Sequence, residues 1–323
     1  MKSKSNPVRL VGLKSALSAG ALLVLLMATG GTGHAGAWVP FQGDLSLGLN
    51  YQYDQSSGLY YDGELQSDTA DTRVQRLALS AEYVPISNLA VRANVPLMLV
   101  QYHGEGGGAL LQHGAWDDRN THATMQDLRL DARYQVLEQP IFALSPLVGV
   151  SIPMSDYETI GFTAAGRGVR KLHLGLSAAR TLDPYVPNLY LHASYEFSLA
   201  ESVDLSEETA EFSQHHSNYD VQLGYFVLPE LNLFGRLQGA HHHDGISYVD
   251  WGDHSSDLKN FHDPILQERT LLWGVGAGYR LTNSVSTTAS YSRFITGDNT
   301  RNAQIFALGI SWRHPVGPFD DDF

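Results

Sequence analysis

The chain has 323 residues, no cysteine, 17% charged residues and a formal net charge of −13. Four of its cations lie in the first 37 residues, which hold no Asp or Glu, so the rest of the chain carries a charge of −17. This acidity argues against a basic face for nucleic acid, and the lack of cysteine excludes disulfides and thiolate metal sites.

The N-terminus has the pattern of a secretory signal peptide. Four basic residues flank or precede a short apolar run at 16–28, and Ala35-Gly36-Ala37 follows as a small-residue cleavage site. We predict a signal peptide over residues 1–37, cut before Trp38. The alternative is a membrane anchor, which the length of the run disfavours because a spanning helix needs about 20 apolar residues.

Beyond residue 37 the chain repeats one pattern, in which apolar and polar residues alternate. The clearest example is the segment 125–136, where Leu128 and Leu130 alternate with Asp127 and Arg129. Successive side chains of a β-strand point to opposite faces, so this segment predicts a strand with one apolar and one charged wall. Such a strand fits a barrel with a polar interior and a lipid-facing exterior.

The pattern recurs often enough to predict about twelve strands in an all-β, up-and-down antiparallel transmembrane barrel over residues 38–314. The predicted strands are about 43–54, 73–84, 89–100, two within 125–153, 169–182, 188–200, 218–228, 231–242, 267–281, 285–296 and 303–314. Short and long connections alternate in phase, as expected for short periplasmic turns and long extracellular loops. A soluble β-sandwich is the alternative, and its strands would be shorter. Residues 315–323 form an acidic C-terminal tail.

The polar faces of these strands predict the residues that line the interior of the barrel. The predicted pore-lining residues are Arg76, Glu82, Arg92, Asp127, Arg129, Asp131, Arg133, Lys171, His173, Glu196, Asp220, Arg236, Glu268 and Arg280. The two signs of charge nearly balance, which indicates a mixed ladder and not a ring of one sign. A twelve-stranded interior permits either a narrow pore or a salt-bridged plug, and inward glycines such as Gly224 and Gly276 favour a pore.

Two short patterns suggest other chemistry. His215 and Ser217 would share the outward face near the outer rim, where a base and a nucleophile could hydrolyse lipid. No third group that would orient the histidine is evident, so a polar loop end is the favoured interpretation. His241 and His243 also share a face and could bind a metal ion, but their spacing matches no strict ligand pattern. We therefore predict no catalytic residue, no metal and no cofactor.

Four segments between Asp127 and Ser198 carry a family resemblance. They read DLRLDARYQVL, PLVGVSIPMSDYETIG, AAGRG and LHLGLSAARTL. This region resembles the outer-membrane family named for the meta-cleavage pathway of phenol degradation, although Ser155-Asp156 stands where that family has a Thr-Gly-Asp type of loop start. The resemblance implies an outer-membrane channel or transporter for small aromatic or hydrophobic compounds, and it supplies no active-site residues.

These patterns together predict a function and a set of partners. We expect a non-enzymatic outer-membrane barrel for passive uptake or efflux of a small solute, exported through the cleaved signal peptide. The alternatives are a lipid hydrolase at the outer rim and a plugged structural barrel. Expected partners are outer-membrane lipid, lipopolysaccharide and the barrel-assembly machinery, without nucleic acid. The sequence leaves the oligomeric state open.

Overall fold

The fold was analysed in a computed structural model, which describes residues 36–66, 71–104, 114–139, 141–204, 211–247 and 263–314. The predicted acidic tail and nearly all of the predicted signal peptide lie outside these residues. Within them, the long strands alternate in burial from residue to residue, as the sequence pattern predicts. No helix in this part of the chain is long and apolar enough to cross a membrane.

The described residues contain seventeen strands. They are β1 Leu45–Tyr61, β2 Glu64–Gln66, β3 Thr72–Ile86, β4 Leu89–Tyr102, β5 His122–Met125, β6 Asp127–Tyr134, β7 Leu137–Gln139, β8 Phe142–Pro153, β9 Lys171–Thr181, β10 Leu189–Ala200, β11 Ser202–Asp204, β12 Glu211–Ser213, β13 His216–Leu228, β14 Leu231–His242, β15 Arg269–Arg280, β16 Val285–Asp298 and β17 Thr300–His314. A 3-10 turn at Asp263–Ile265 precedes β15.

Twelve of the described strands form a closed antiparallel barrel, which confirms the predicted fold. The order of neighbours is β17-β16-β15-β14-β13-β10-β9-β8-β6-β4-β3-β1, and β17 pairs with β1 to close the ring. Closure leaves no free sheet edge, which is the condition for a β-structure to sit in lipid. The short strands β2, β5 and β7 pair with barrel strands, and β11 and β12 form a separate hairpin.

The outer face of the barrel is apolar, and aromatic residues collect at its short-turn end. Exposed outward residues of the central band include Leu47, Leu79, Val148, Leu174, Val221, Val275 and Leu308. The exposed aromatic residues at the short-turn end are Tyr83, Tyr134, Tyr225, Tyr279 and Trp312. Tyr and Trp are enriched at the interfaces of a membrane, so this row marks one interface.

The structure corrects the extent of β1 and the position of its tyrosines. The sequence pattern ends this strand at about residue 54, whereas β1 continues to Tyr61 and forms a hairpin with β2. Tyr51 and Tyr53 consequently lie in the middle of the strand and not at its outer end. The alternation weakens after residue 54 because Gln55, Ser56, Ser57 and Gly58 replace the apolar positions.

A bulge at Gln126 separates β5 from β6. Both strands pair with β4, but Met125 lies opposite Leu97 while Arg129 lies opposite Asn94, so one extra residue lies in between. The Gln126 amide donates to the carbonyl of Pro96 at 2.9 Å. An extra residue in one strand re-aims the side chains next to it. Gln126 and Asp127 therefore both contact residues inside the barrel.

Candidate transport lumen

A network of charged side chains around Arg129 lines one wall of the lumen. This side chain starts on β6 and reaches Glu196 on β10, with bonds of 3.0 and 2.6 Å to the two carboxylate oxygens. It also contacts Asp131 at 2.7 Å, and Asp131 in turn accepts a bond from Arg92 at 3.1 Å. Ion pairs of this kind stabilise the charged side chains that the strand alternation places inside the barrel.

The network continues to His173 on β9. His173 Nδ1 lies 3.2 Å from Glu196 Oε1 and 2.8 Å from Ser198 Oγ, while its Nε2 lies 2.7 Å from Ser151 Oγ. Both ring nitrogens are thus held, and the imidazole has a fixed orientation. Side-chain hydrogen bonds therefore connect β6, β8, β9 and β10 on the lumen side of one wall, in addition to the backbone bonds of the sheet.

A second charged cluster lies on the wall formed by β9, β10, β13 and β14. Arg236 contacts Asp220 at 2.7 Å, His192 lies 3.8 Å from the same carboxylate, and Ser177 bonds His192 at 2.9 Å. The two clusters contain cations and carboxylates in contact, so the lumen is lined by a mixed ladder of both signs and not by a single-sign ring.

The loop at residues 154–170 folds into the long-loop end of the barrel. Thr163, Ala164, Ala165 and Val169 are buried there. We call this segment the plug loop. The sequence pattern places it among ordinary surface loops, but its run at 159–166 contains no charged residue, unlike the acidic loops around it. An uncharged stretch can be buried at a lower desolvation cost, which explains how it enters the barrel.

Side chains from separate parts of the chain hold the plug loop. Asp117 accepts bonds from Thr163 Oγ1 and from the Phe162 amide, the latter at 3.0 Å. Gln126 Nε2 donates to the Ala165 carbonyl at 2.6 Å. On β17, the Arg301 guanidinium donates to the Phe162 carbonyl. These contacts come from three different parts of the chain, so the loop is anchored around the ring.

Arg167 makes a further anchor between the plug loop and the segment before β15. Its guanidinium donates to the carbonyls of Pro264 and Leu266 at 3.0 Å each and to Glu268 Oε2 at 3.0 Å. The side chains of Arg167 and Glu268 are both almost completely buried. Removal of one partner would weaken the compensation of a buried charge, so this pair constrains the loop strongly.

One carboxyl of the plug loop has a perturbed proton affinity. Burial raises the pKa of Glu158 above its usual range, and the nearby carboxylates of Asp117 and Asp156 act in the same direction. Amide donors at Ile160 and Thr159 oppose the rise without cancelling it. The folded loop therefore binds the proton of Glu158 more tightly than an open loop would.

The short-turn end of the lumen holds the segment Gly36–Val39. Arg133 donates to the Gly36 carbonyl, and Ser145 Oγ donates to the Ala37 carbonyl at 2.6 Å. The Val39 amide donates to Gln135 Oε1 at 2.7 Å. Ala37 is completely buried in an apolar cluster with Ala143, Ala179 and Tyr190, and Trp38 and Phe226 pack against that cluster.

A cavity of about 310 Å³ lies in the lumen, and its lining includes residues of the plug loop and of the N-terminal segment. Ala165 and Gly166 contribute from the plug loop, and Gly36 contributes from the N-terminal segment. Most of the remaining lining comes from the inward polar residues of the strands. The lumen is thus open at the level of the charged network. The plug loop occupies it towards the long-loop end, and the N-terminal segment occupies it towards the short-turn end.

Gly224 and Gly276 do not widen this cavity as the sequence pattern suggests. A Cβ atom on Gly224 would lie 2.1 Å from the ring of Tyr190, and a Cβ atom on Gly276 would lie 2.3 Å from the ring of Phe234. Aromatic rings from the neighbouring strands occupy the space that each glycine leaves. These glycines therefore allow close packing on the lumen wall.

The structure places most of the predicted pore-lining residues on one cavity. Its lining includes Arg76, Arg92, Asp127, Arg129, Asp131, Arg133, Lys171, His173, Glu196, Asp220 and Arg236. Three others lie elsewhere. Glu82 contacts Arg133 at 3.4 Å near the short-turn end, and Glu268 is buried with Arg167. Arg280 is exposed at the last position of β15, beside Glu230 at 3.9 Å.

The predicted pair His215 and Ser217 is not brought together as a base and a nucleophile. His215 Nδ1 accepts a bond from the Ala200 amide at 3.2 Å. Ser217 Oγ instead lies 2.7 Å from His243 Nε2 and 2.8 Å from the Tyr195 hydroxyl, and Ser217 is buried. The antiparallel register of β13 and β14 pairs Ser217 with His241, and His243 reaches Ser217 from just beyond the end of β14, which the sequence pattern does not reveal.

His241 and His243 share a face, as predicted, and their rings stack at 4.7 Å between centroids. Within the described ranges, no group of three or more His, Cys, Asp or Glu side chains is arranged to hold a metal ion. His254 and His262, which follow in the sequence, lie outside those ranges.

Comparisons with known proteins agree with this architecture. No family model matches the chain, and no curated protein matches its sequence. Among solved structures, the chain is similar to an outer membrane channel from Pseudomonas putida F1, with a TM-score of 0.68 and 15% identity over 86% of this chain and 98% of the other. The resemblance to the meta-pathway family remains a prediction.

Other similar structures are also barrels, with lower scores. The translocator domain of the autotransporter NalP from Neisseria meningitidis has a TM-score of 0.47 and 11% identity over 86% of this chain and 91% of that one. The CymD monoaromatic hydrocarbon channel has a TM-score of 0.43 and 11% identity over 85% and 90% of the two chains. The likeness to the Pseudomonas structure is one of fold, and the chain therefore has the fold of an outer-membrane β-barrel.

Proposed function

We propose that this protein resides in the outer membrane and allows the passive passage of a small solute through its lumen. One observation carries the proposal. A cavity of about 310 Å³ lies inside the barrel and is lined by polar strand residues, which a barrel filled by side chains would lack. Lipid and lipopolysaccharide surround the barrel in this proposal, and the barrel-assembly machinery inserts it. No catalytic step is part of the proposal.

The lining favours a small polar solute. Arg129, Glu196, Asp220 and Arg236 reach the cavity wall with donors and acceptors that a polar molecule can engage as it passes. A hydrocarbon would gain no hydrogen bonds there and would leave these groups dehydrated. Aromatic or hydrophobic compounds are expected only from the family resemblance, and the lining supports them less well.

Passage requires the plug loop to move. The loop closes the lumen through a limited set of anchors, chiefly Asp117, Gln126, Arg167 and Arg301. Loops held by a few polar contacts open at a lower free energy than the strands that support them. We therefore assign the closed arrangement to the resting state of the barrel and the loop to its gate.

Solute efflux from vesicles tests the proposal. The refolded protein would be placed in vesicles loaded with polyols, amino acids, carboxylates or aromatic compounds, beside protein-free vesicles and the variant Tyr185→Ala. Tyr185 is 83% exposed on the short turn between β9 and β10 and is not one of the lumen residues described above. Faster loss of the small polar solutes is the expected result. Equal loss from protein-free vesicles for every solute would refute passage.

A plugged structural barrel is the second candidate, and the same burial of the plug loop favours it. The two candidates differ in what happens when the loop is released. Passage predicts that Asp117→Ala increases efflux of the solutes that already pass. A structural barrel predicts no efflux before or after that substitution, with the barrel still folded.

A further inference from the structure

The N-terminal segment Gly36–Trp38 is bound in the barrel as a ligand would be. Two side chains from different strands, Arg133 on β6 and Ser145 on β8, donate to successive carbonyls at Gly36 and Ala37. The methyl group of Ala37 is completely buried, and the Trp38 ring packs against the Tyr190 cluster. The barrel thus contacts both the main-chain carbonyls and the side chains of this segment.

This binding bears on where the leader is removed. The sequence offers two cleavage points with small residues on the leader side: after Ala37, with Ala35 two residues earlier, and after Ala35, with Gly33 two residues earlier. The sequence pattern alone selects the first, because it is the Ala-x-Ala form. A cut there would remove Gly36 and Ala37, which carry two of the hydrogen bonds described above.

The position of the new α-amine distinguishes the two cuts. A chain that begins at Trp38 would bring its ammonium group next to the apolar side chains of Ala143, Ala179 and Tyr190, where an unpaired charge is costly. A chain that begins at Gly36 would have its ammonium group at a residue that lines the central cavity. The carboxylates of Asp131 and Glu196 line the same cavity, together with the guanidinium of Arg133, which bonds the Gly36 carbonyl.

We propose that processing occurs between Ala35 and Gly36, and that residues Gly36–Trp38 of the mature chain form a stopper at the short-turn end of the lumen. The stopper is a tethered ligand, because Val39 and the residues after it connect it directly to β1. The position of the cut stands on the contacts of Gly36 and Ala37 alone. The stopper's effect on passage rests on the proposed function.

Intact-mass measurement of the protein purified from outer membranes tests the cut. A mature chain that begins at Gly36 is heavier than one that begins at Trp38 by one glycine and one alanine residue. The expected mass is that of the chain from Gly36 to Phe323. A mass that begins at Trp38, or one that retains the leader, would overturn the proposed processing and would leave the proposed passage untouched.

Single-channel conductance tests the stopper, with Trp38→Ala and Ser145→Ala compared against Phe41→Ala. Phe41 is an aromatic residue three positions further on and is 59% exposed, so it serves as a matched control. We expect a several-fold higher open fraction for the first two variants and wild-type behaviour for the control. Unchanged conductance in folded Trp38→Ala protein would overturn the stopper. If no variant conducts and no solute leaves the vesicles, the proposed passage is contradicted as well. The mass measurement tests the cleavage site whatever the conductance result.

Discussion

Arg129 is the residue on which the central network depends, because it joins two carboxylates from different strands. Its bidentate contact with Glu196 and its contact with Asp131 hold three side chains in fixed positions on the cavity wall. The strand alternation predicts that Arg129, Asp131 and Glu196 face inward. It does not predict which of them meet, since that depends on how β6 and β10 are placed around the ring.

The Arg129–Glu196 pair yields a prediction about ion selectivity. Arg129→Gln removes a positive charge from the cavity wall and should shift permeability toward cations, while Glu196→Gln should shift it toward anions. Either change breaks a partly buried pair and should cost about 1–3 kcal/mol of stability. The measurement is the reversal potential in a salt gradient. Shifts in the same direction for both variants would show that the pair does not face the permeation path.

Asp117 yields a prediction about the gate. Asp117→Ala removes the acceptor for Thr163 and for the Phe162 amide, so the docked plug loop should lose about 1–3 kcal/mol and open more often. Conductance and cleavage of the loop by added protease should both increase. The neighbouring Asp118→Ala is the matched control, because its carboxylate contacts Asn120 and His122 instead. Equal protease resistance in both variants would contradict the assignment.

The barrel strands are the elements that the lipid stabilises. Leu308 lies near the middle of β17 and is 59% exposed on the outward face. Leu308→Arg should destabilise the barrel by about 2–4 kcal/mol, the cost of an arginine near the bilayer midplane. Urea titration in vesicles measures this loss, with Tyr185→Arg on the exposed turn as the control. A loss of stability no larger than that of the control would mean that this part of β17 does not face lipid.

The plug loop is the element that should respond to pH, through Glu158. Burial raises the pKa of this carboxyl, so the docked loop binds a proton that the open loop releases. The resulting stabilisation is complete below the ordinary pKa of glutamate and is lost as the pH rises through the raised pKa. The open fraction should therefore increase with pH over that range. Glu158→Gln should flatten this part of the profile, and an unchanged profile would exclude Glu158 as its cause.

At the scale of the whole molecule, the barrel should be independent of the loop that closes it. β8 and β9 pair directly, from Phe142 with Arg180 to Ser151 with Lys171, so their ladder does not require the plug loop. Replacement of residues 156–167 by a Gly/Ser linker should leave a folded barrel and raise conductance. Folding is measured by the mobility difference of heated and unheated protein in gels. Loss of the folded form would show that the loop supports the barrel as well.

The sequence by itself determined the kind of barrel and the inward side of its walls. The period-2 alternation and the phased connections predict twelve strands, and most of the charged residues predicted to face inward line a single cavity. This information is local, because successive side chains of a β-strand point to opposite faces of the sheet. Boundaries were less certain where polar residues interrupt the alternation, as in β1 after residue 54.

Only the tertiary structure decided what fills the two ends of the lumen. Asp117, Gln126 and Arg301 meet the plug loop from distant parts of the chain, and Arg133 and Ser145 meet Gly36 and Ala37 across about a hundred residues. Ser217 likewise meets His243, and not His215, because of the pairing of β13 with β14. Contacts between residues so far apart in the sequence depend on closure of the barrel and on the conformation of a loop. Neither produces a periodic pattern in the sequence.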